Sequence, residues 1–152
     1  MSEPPAGKVL GIALRGPNNG KMTLVDEAAA TVDGGLNGDV EPSPHRGVTF
    51  IAAGQWEQVT RELGADLPWH TRRANVLVDA TGLGHLIGRR IRVGEVEVQI
   101  KAVTEPCGLM DKLHDGLRQA LVPDARGGVY GRVVKGGSLR VGDEIVTVES
   151  DM

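Results

Sequence analysis

Glycine punctuates this chain too often for long regular elements. It supplies 22 of the 152 residues, above ordinary usage, and many sit in turn-like contexts that suit short strands joined by tight turns. The apolar runs between them agree. Residues 8–14 are β-compatible, 48–51 and 75–78 are short apolar strands, and 130–134 is a further one. Val96, Val98 and Ile100 alternate with Glu97, Gln99 and Lys101, the period-two pattern of a half-buried strand. Ile91-Arg92-Val93-Gly94-Glu95 and Leu139-Arg140-Val141-Gly142-Asp143 each set a Gly-acidic pair among strand residues, which predicts two similar β-hairpins. Residues 32–39 read as a glycine-punctuated loop, and 41–46, with two prolines, carry it on as a binding loop or plain surface.

Two helices are expected. One covers about 55–62, burying Trp56, Val59 and Leu63, with Gly64 as its C-terminal stop. The other follows Pro106: Leu109, Leu113, Leu117 and Leu121 recur every four residues, Met110 and Ala120 widen the stripe, and Pro123 ends it. The sum is a mainly β chain with a few helices, of α+β class. It is expected to form a β-barrel-like domain with helices packed outside or across one end. Residues 1–7, rich in proline and small residues, read as a disordered leader, 8–149 as a single domain and 150–152 as a tail.

Composition narrows the function. With 40% apolar residues, ordinary globular burial is feasible. A net charge of −3 and 3% aromatics do not suit a nucleic-acid binder, which shows a basic surface and stacking rings. A single cysteine excludes an intrachain disulfide. The start, Met1-Ser2-Glu3-Pro4-Pro5, has no basic-then-apolar signal, and no apolar run spans a membrane, so a cytoplasmic protein without a membrane partner is expected. Gly16…Gly20-Lys21 has the wrong spacing for a phosphate-binding P-loop, and Met22 stands where Ser or Thr should meet the metal; a nucleotide reading is rejected.

Chemistry centres on Cys107, in Thr104-Glu105-Pro106-Cys107-Gly108, where a strand gives way to a helix. Pro106 keeps Glu105 out of helical dihedrals, so Cys107 falls at or beside the helix start. A thiol there gains thiolate character and can attack electrophiles or bind metal. The alternative is a cysteine packed as a small hydrophobe. His45, His70, His85 and His114 show no metal-ligand spacing. In Arg72-Arg73-Ala74-Asn75, residues 73 and 75 would share one side of an extended segment, a guanidinium and an amide able to hold a phosphate or carboxylate, or simply a solvated strand start. Tyr130, the only tyrosine, lies among glycines that let a ligand or a backbone approach.

Together these pieces resemble, in order and spacing, the MOSC domain, named after the C-terminal domain of molybdenum cofactor sulfurase. The matching run is Gly35-Leu36-Asn37-Gly38-Asp39, Arg46-Gly47-Val48-Thr49, Arg73-Ala74-Asn75, Gly82 to Gly88, Ile91-Arg92-Val93-Gly94, Pro106-Cys107, Gly127-Gly128-Val129-Tyr130-Gly131-Arg132-Val133 and Gly137-Ser138-Leu139-Arg140-Val141-Gly142-Asp143. The resemblance implies a small stand-alone bacterial member that binds molybdenum cofactor (molybdopterin), with Cys107 as catalytic residue and metal ligand. It further implies that Arg46, Gly47, Arg73, Asn75 and Tyr130 hold the pterin and its phosphate. The implied reaction is two-electron reduction of N-hydroxylated or N-oxide compounds with an external electron donor. The chain departs from the family in having Gly54 where an acidic residue is frequent and Val40-Glu41 where a histidine is common. Two other readings stand beside the oxidoreductase. One is a sulfur carrier, with a Cys107 persulfide received from a cysteine desulfurase that brings the pyridoxal phosphate, for which this chain has no site of its own. The other is a non-catalytic module binding a small anion or metabolite.

Overall fold

The computed structural model describes residues 5–17, 21–39, 47–106 and 108–148. Its strands are β1 Gly7–Leu14, β2 Thr23–Val25, β3 Glu27–Thr31, β4 Gly35–Leu36, β5 Val48–Ala52, β6 Val76–Val78, β7 Arg90–Val93, β8 Val96–Val103, β9 Val129–Lys135, β10 Gly137–Arg140 and β11 Glu144–Val148. The helices are α1 Ala53–Leu63, α2 Gly108–Leu113 and α3 Leu117–Ala120. Neighbouring strands run β11-β7-β8-β9-β5-β6-β1, and β1 pairs back with β11, which closes a seven-stranded barrel. β1 achieves the closure by changing partners along its length: Gly7 and Lys8 lie opposite β11, Val9 to Ile12 opposite β6, and Ile12 to Leu14 opposite β2. A separate three-stranded sheet, β10-β3-β4, adds Ala28, Ala30, Leu36 and Leu139 to the barrel core.

Alternation divides each wall strand between two cores. Val48, Phe50 and Ala52 of β5, Val76 and Val78 of β6, and Val129 and Val133 of β9 point into the barrel with Ile91, Val93, Val96, Val98 and Ile100. Ile51 points outward, with Leu77 beside it. There the three helices and Trp69 cover them with Trp56, Val59, Met110, Leu117 and Leu121. The wall is therefore apolar on both faces where helices lie on it, which explains why β5 is buried at every position. All barrel pairings are antiparallel except β5 with β6, whose parallel register (Phe50 opposite Val76) requires a crossover; α1 provides it.

The mainly β fold with helices outside the barrel is the architecture the sequence predicts, with local differences. The helix expected after Pro106 is broken: α2 ends at Leu113, Gly116 takes φ 86°, and α3 starts at Leu117. Asp115-Gly116 is turn chemistry that outweighs the continuing leucine stripe. The second expected hairpin is absent. Gly142-Asp143 turns the chain between β10, which pairs with β3, and β11, which pairs with β7 and β1. Part of the expected 32–39 loop is β4, too short for periodicity to show. Ala6 and Gly7, placed in the leader, join the barrel: Ala6 N–H donates to Ile145 O at 2.7 Å, and β1 begins at Gly7.

The first hairpin, β7–β8, forms as expected and locks the two sheets together through Gly94. This residue has φ 60°, and a Cβ on it would stand 2.5 Å from Asp143 Oδ2 and 2.7 Å from Ser138 O. Gly94→Ala should lower stability in urea by roughly 2 kcal/mol, combining left-handed strain with displacement of the β10–β11 corner. An unchanged midpoint would contradict this packing.

Candidate functional site

A polar row crosses the outer face of the barrel at the edge of the helical layer. Ala102 of β8 lies opposite Tyr130 of β9, and Tyr130 opposite Thr49 of β5. Thr49 then meets Asn75, just before β6. The Asn75 N–H donates to Thr49 O and Oγ1, both at 3.0 Å. In return Thr49 N–H and Oγ1–H donate to Asn75 Oδ1, both at 3.1 Å. Asn75 Nδ2 reaches on to Ala13 O of β1 at 3.1 Å, and Ala13 N–H donates to Asn75 O at 2.7 Å. Asn75 is fully buried, so its amide binds three strands to one another rather than facing solvent.

The predicted extended run 73–75 is not extended at its start. Trp69–Arg72 form a 3-10 turn, and Arg73 closes it with φ 66° and an N–H to His70 O bond of 2.9 Å. This kink turns two consecutive arginines to different tasks. Arg72 goes inward, 6% exposed, donating from Nε to Gly127 O at 3.2 Å and from Nη2 to Thr104 O at 3.0 Å, with Nη1 3.7 Å from Met110 Sδ. Thr104 and Met110 lie three residues before and three after Cys107 in sequence. Arg72 therefore ties both flanks of the cysteine segment to the start of β9. Gly127 permits the approach, since a Cβ there would be 2.5 Å from Thr104 O. Thr104 N–H donates to Gly128 O at 2.8 Å, while its hydroxyl is buried with no hydrogen-bond partner among the described residues.

Arg73 stays half-buried at the margin of the wall, near Arg15 and Asp39. Asp39 is buried and accepts from Arg15 four times: the backbone N–H at 2.7 Å and Nε at 3.1 Å reach Oδ1, while Nε at 3.2 Å and Nη2 at 2.6 Å reach Oδ2. Burial holds the Arg73 pKa below its ordinary value, and the nearby Arg15 charge pushes it the same way against the opposing pull of Asp39. Gly47 is bridged to Gly131 at the same margin. Cys107 and Arg46 lie outside the described residues, as does His45. Of the sequence-predicted set, Gly47, Arg73, Asn75 and Tyr130 thus share one stretch of wall. Cys107 is to be placed only through its neighbours, and α2 after it has six residues, too short for the dipole argument made for a long helix.

Sequence reading missed Arg72, Thr49, Thr104, Arg15 and Asp39 as site-building side chains. Thr49 and Asp39 stand inside the motif run, but nothing in one sequence pairs Asp39 with Arg15 across 24 positions. Among the described residues no cluster of three or more His, Cys, Asp or Glu could hold a metal unaided. The described side chains bring two guanidinium groups, Arg15 and Arg73, and one buried carboxylate, Asp39, to the margin of the wall.

A family model for the MOSC domain matches residues 37–146, well over half of the chain. The chain belongs to the MOSC domain family. Among solved structures, the YuaD protein from Bacillus subtilis superposes with a TM-score of 0.82 at 18% identity, covering 99% of this chain and all of that one. YiiM from Escherichia coli gives 0.71 at 19% identity, covering 95% of this chain and 71% of that one. YiiM from Geobacillus stearothermophilus gives 0.69 at 15% identity, covering 95% and 74%. At such identities the likeness establishes the fold. No curated protein matches the sequence. No helix among the described residues of this MOSC protein is long and apolar enough to cross a membrane.

Removing the Arg72 guanidinium leaves two buried carbonyls without their donor. Arg72→Met should destabilise the protein by roughly 2–3 kcal/mol in urea. Amide exchange at Thr104 and Met110 should accelerate more than at Val98 in β8; a uniform change would argue against a local clamp.

Proposed function

We propose that this MOSC protein is a cytoplasmic oxidoreductase that binds molybdenum cofactor through Cys107. It would reduce N-hydroxylated or N-oxide compounds with electrons from an external donor. The observation that carries the reading is the convergence of Gly47, Arg73 and Tyr130 on one margin of the barrel, beside a segment that Arg72 fixes on both sides of Cys107. The surroundings suit the group. Arg15 and Arg73 bring guanidinium groups, donors suited to a phosphate, to one margin, and the Thr104 hydroxyl is buried with no hydrogen-bond partner among the described residues. A cysteine thiolate is a soft donor, appropriate to a metal already held by dithiolene sulfur.

When bound, the cofactor supplies the two-electron couple. The chain's own residues do the rest. Cys107 anchors the metal, Arg46 and Arg73 hold the phosphate by charge-assisted hydrogen bonds, and Gly47 brings backbone close to the pterin. Tyr130 offers a phenol at the wall surface, half-buried between Thr49 and Ala102. Asn75 acts at one remove, keeping β6 against β5 and β1 so that Arg73 stays at the margin. In the overall reaction an N-hydroxy compound takes two electrons and two protons, its N–O bond breaks, and an amine and water leave. The chain bears no flavin or iron–sulfur motif, so both electrons come from the donor protein.

Protein purified from a cofactor-producing host should carry near-stoichiometric molybdenum with pterin. Cys107→Ala should lose the molybdenum with its circular dichroism unchanged. Molybdenum retained in the variant would overturn Cys107 as ligand. Metal absent from both would shift the assignment to sulfur transfer, which predicts an added sulfur on Cys107 after incubation with a cysteine desulfurase.

A further inference from the structure

We propose that the outer face of β7, β8 and β9 is a docking surface for an acidic protein, and that this protein is the electron donor the reaction requires. The identity of the partner rests on the reading above; the preference for an acidic surface rests on the face alone.

Register fixes what the face presents. No residue of β7, β8, β9 or β11 joins the core beneath the helices, so this part of the wall carries no helix. Two cross-strand rows point outward. In one, Val146 lies opposite Arg92, Arg92 opposite Glu97 and Glu97 opposite Lys135. In the next, Val148 lies opposite Arg90, Arg90 opposite Gln99 and Gln99 opposite Arg132. Lys101 follows two positions after Gln99. The alternating positions, among them Ile91, Val98 and Val133, fill the barrel. These three strands thus hold Arg90, Arg92, Lys101, Arg132 and Lys135, with Glu97 as their only acid.

Glu97 offsets little of that charge. Its side chain is 17% exposed and recessed between Arg90 Nη1 and Lys135 Nζ, each 3.9 Å from one oxygen and beyond hydrogen-bond reach. Arg132 pairs with Asp33 at the border of the second sheet. Arg92 and Lys101 are exposed and meet no carboxylate among the described residues. The acids at the hairpin end are engaged elsewhere: Glu95 Oε1 accepts from Ser138 N–H at 2.9 Å, and Glu144 stands opposite Lys8. An approaching surface therefore meets positive charge first, on a chain whose total is −3.

Complementarity selects the occupant. Nucleic acid calls for stacking rings, and neither row contains an aromatic side chain. A membrane calls for large apolar side chains at the surface, whereas the rows end in two half-buried valines. Carboxylates spread over a folded partner suit cations set about 5 Å apart across strands and interrupted by Glu97 and Gln99. The face also leads to the candidate site. Arg132 and Tyr130 project on the same side of β9, and Lys101 precedes Ala102, which lies opposite Tyr130. A protein seated here adjoins the polar row.

The first test measures binding of labelled oligoglutamate to the full chain by fluorescence anisotropy. The wild type should bind, more weakly as salt rises. Arg92→Gln, Lys101→Gln and Lys135→Gln together should weaken binding about tenfold. Arg61→Gln, Lys112→Gln and Arg118→Gln remove the same charge from the helical layer and should leave it within about twofold. No binding by the wild type, or equal loss in both triple variants, would overturn the proposal. So would tighter binding of duplex DNA or of phosphatidylglycerol vesicles than of oligoglutamate. The second test assigns the partner in cofactor-loaded protein. With an acidic [2Fe–2S] ferredoxin as donor, two reduced molecules per N–O bond broken, the face variant should turn over about tenfold more slowly than the wild type at low salt. Dithionite, too small to need the face, should drive both equally. Ferredoxin turnover that is absent, or equal in the two proteins, while dithionite succeeds would overturn the donor assignment, as would slowing with both donors. A wild type that carries no molybdenum and turns over with neither donor would remove the cofactor reading, while oligoglutamate binding lost in the face variant would still establish the docking surface.

Discussion

A buried amide has to find partners, and in this protein Asn75 finds them on three strands at once. Its side chain and backbone bind Thr49 of β5 and Ala13 of β1 while the chain enters β6. β6 is only three residues long, and it carries the one parallel pairing of the barrel. Few ladder bonds are available to hold so short a strand, and the Asn75 bracket supplements them at the end where α1's crossover returns. Satisfied networks of this kind favour one register over its neighbours, because a slip would strand several buried polar atoms together. The kink at Arg73 follows from that fixed point. The left-handed residue lies two positions before the bracket, so the turn it closes is held against the wall.

The helical layer depends on the same region from the other side. α2 and α3 have six and four residues, too few to be stable alone, and they persist because Met110, Leu117 and Leu121 join the outer core over Ile51. Two buried arginines fasten this layer. Arg72 ties Thr104 and Met110 to Gly127, while Arg126 donates from Nη1 to Glu62 Oε1 of α1 at 2.9 Å and to Ala120 O of α3 at 3.2 Å. A planar guanidinium suits the task, since it can bond to carbonyls of separate segments without changing shape. The cysteine segment is therefore bounded by fixed contacts on both sides, although it belongs to no long element.

How far this was legible in the sequence follows from the range of each signal. Strands with strict alternation, such as 96–101, and the helix closed by Gly64 could be read because their causes are local. β3 and β4 were hidden: β3 is an alanine-rich run that pairs with β10 more than a hundred residues later, and β4 is a two-residue strand that pairs with β3 in turn. The two look-alike segments around Gly94 and Gly142 show the limit of turn chemistry: it marks where a chain reverses without naming the strand that receives it. In the same way the arginine-asparagine motif did not show that Arg73 would close a 3-10 turn, that Asn75 would be buried by its bonds to Thr49 and Ala13, or that the preceding Arg72 would become the clamp. The Arg15–Asp39 pair had no signature, because a contact between two loop-end residues leaves no period.

The position of the polar row on the outside of the barrel is itself a consequence of size. Seven short strands enclose little more than their own side chains, and the interior is filled by valine, isoleucine, leucine, alanine and one phenylalanine. Charged groups have no place there, so they are confined to the outer face. That face is apolar wherever helices rest on it, which leaves the margin of the helical layer. At this margin a guanidinium can be half-buried, as that of Arg73 is, without entering the packed interior. A buried carboxylate is tolerated there for the same reason: Asp39 is covered while Arg15 meets it with its backbone N–H and two side-chain nitrogens. Arg72, the immediate neighbour of Arg73 in the chain, turns instead to Gly127 and Thr104, so the left-handed kink at Arg73 divides two consecutive guanidinium groups between the clamp and the margin.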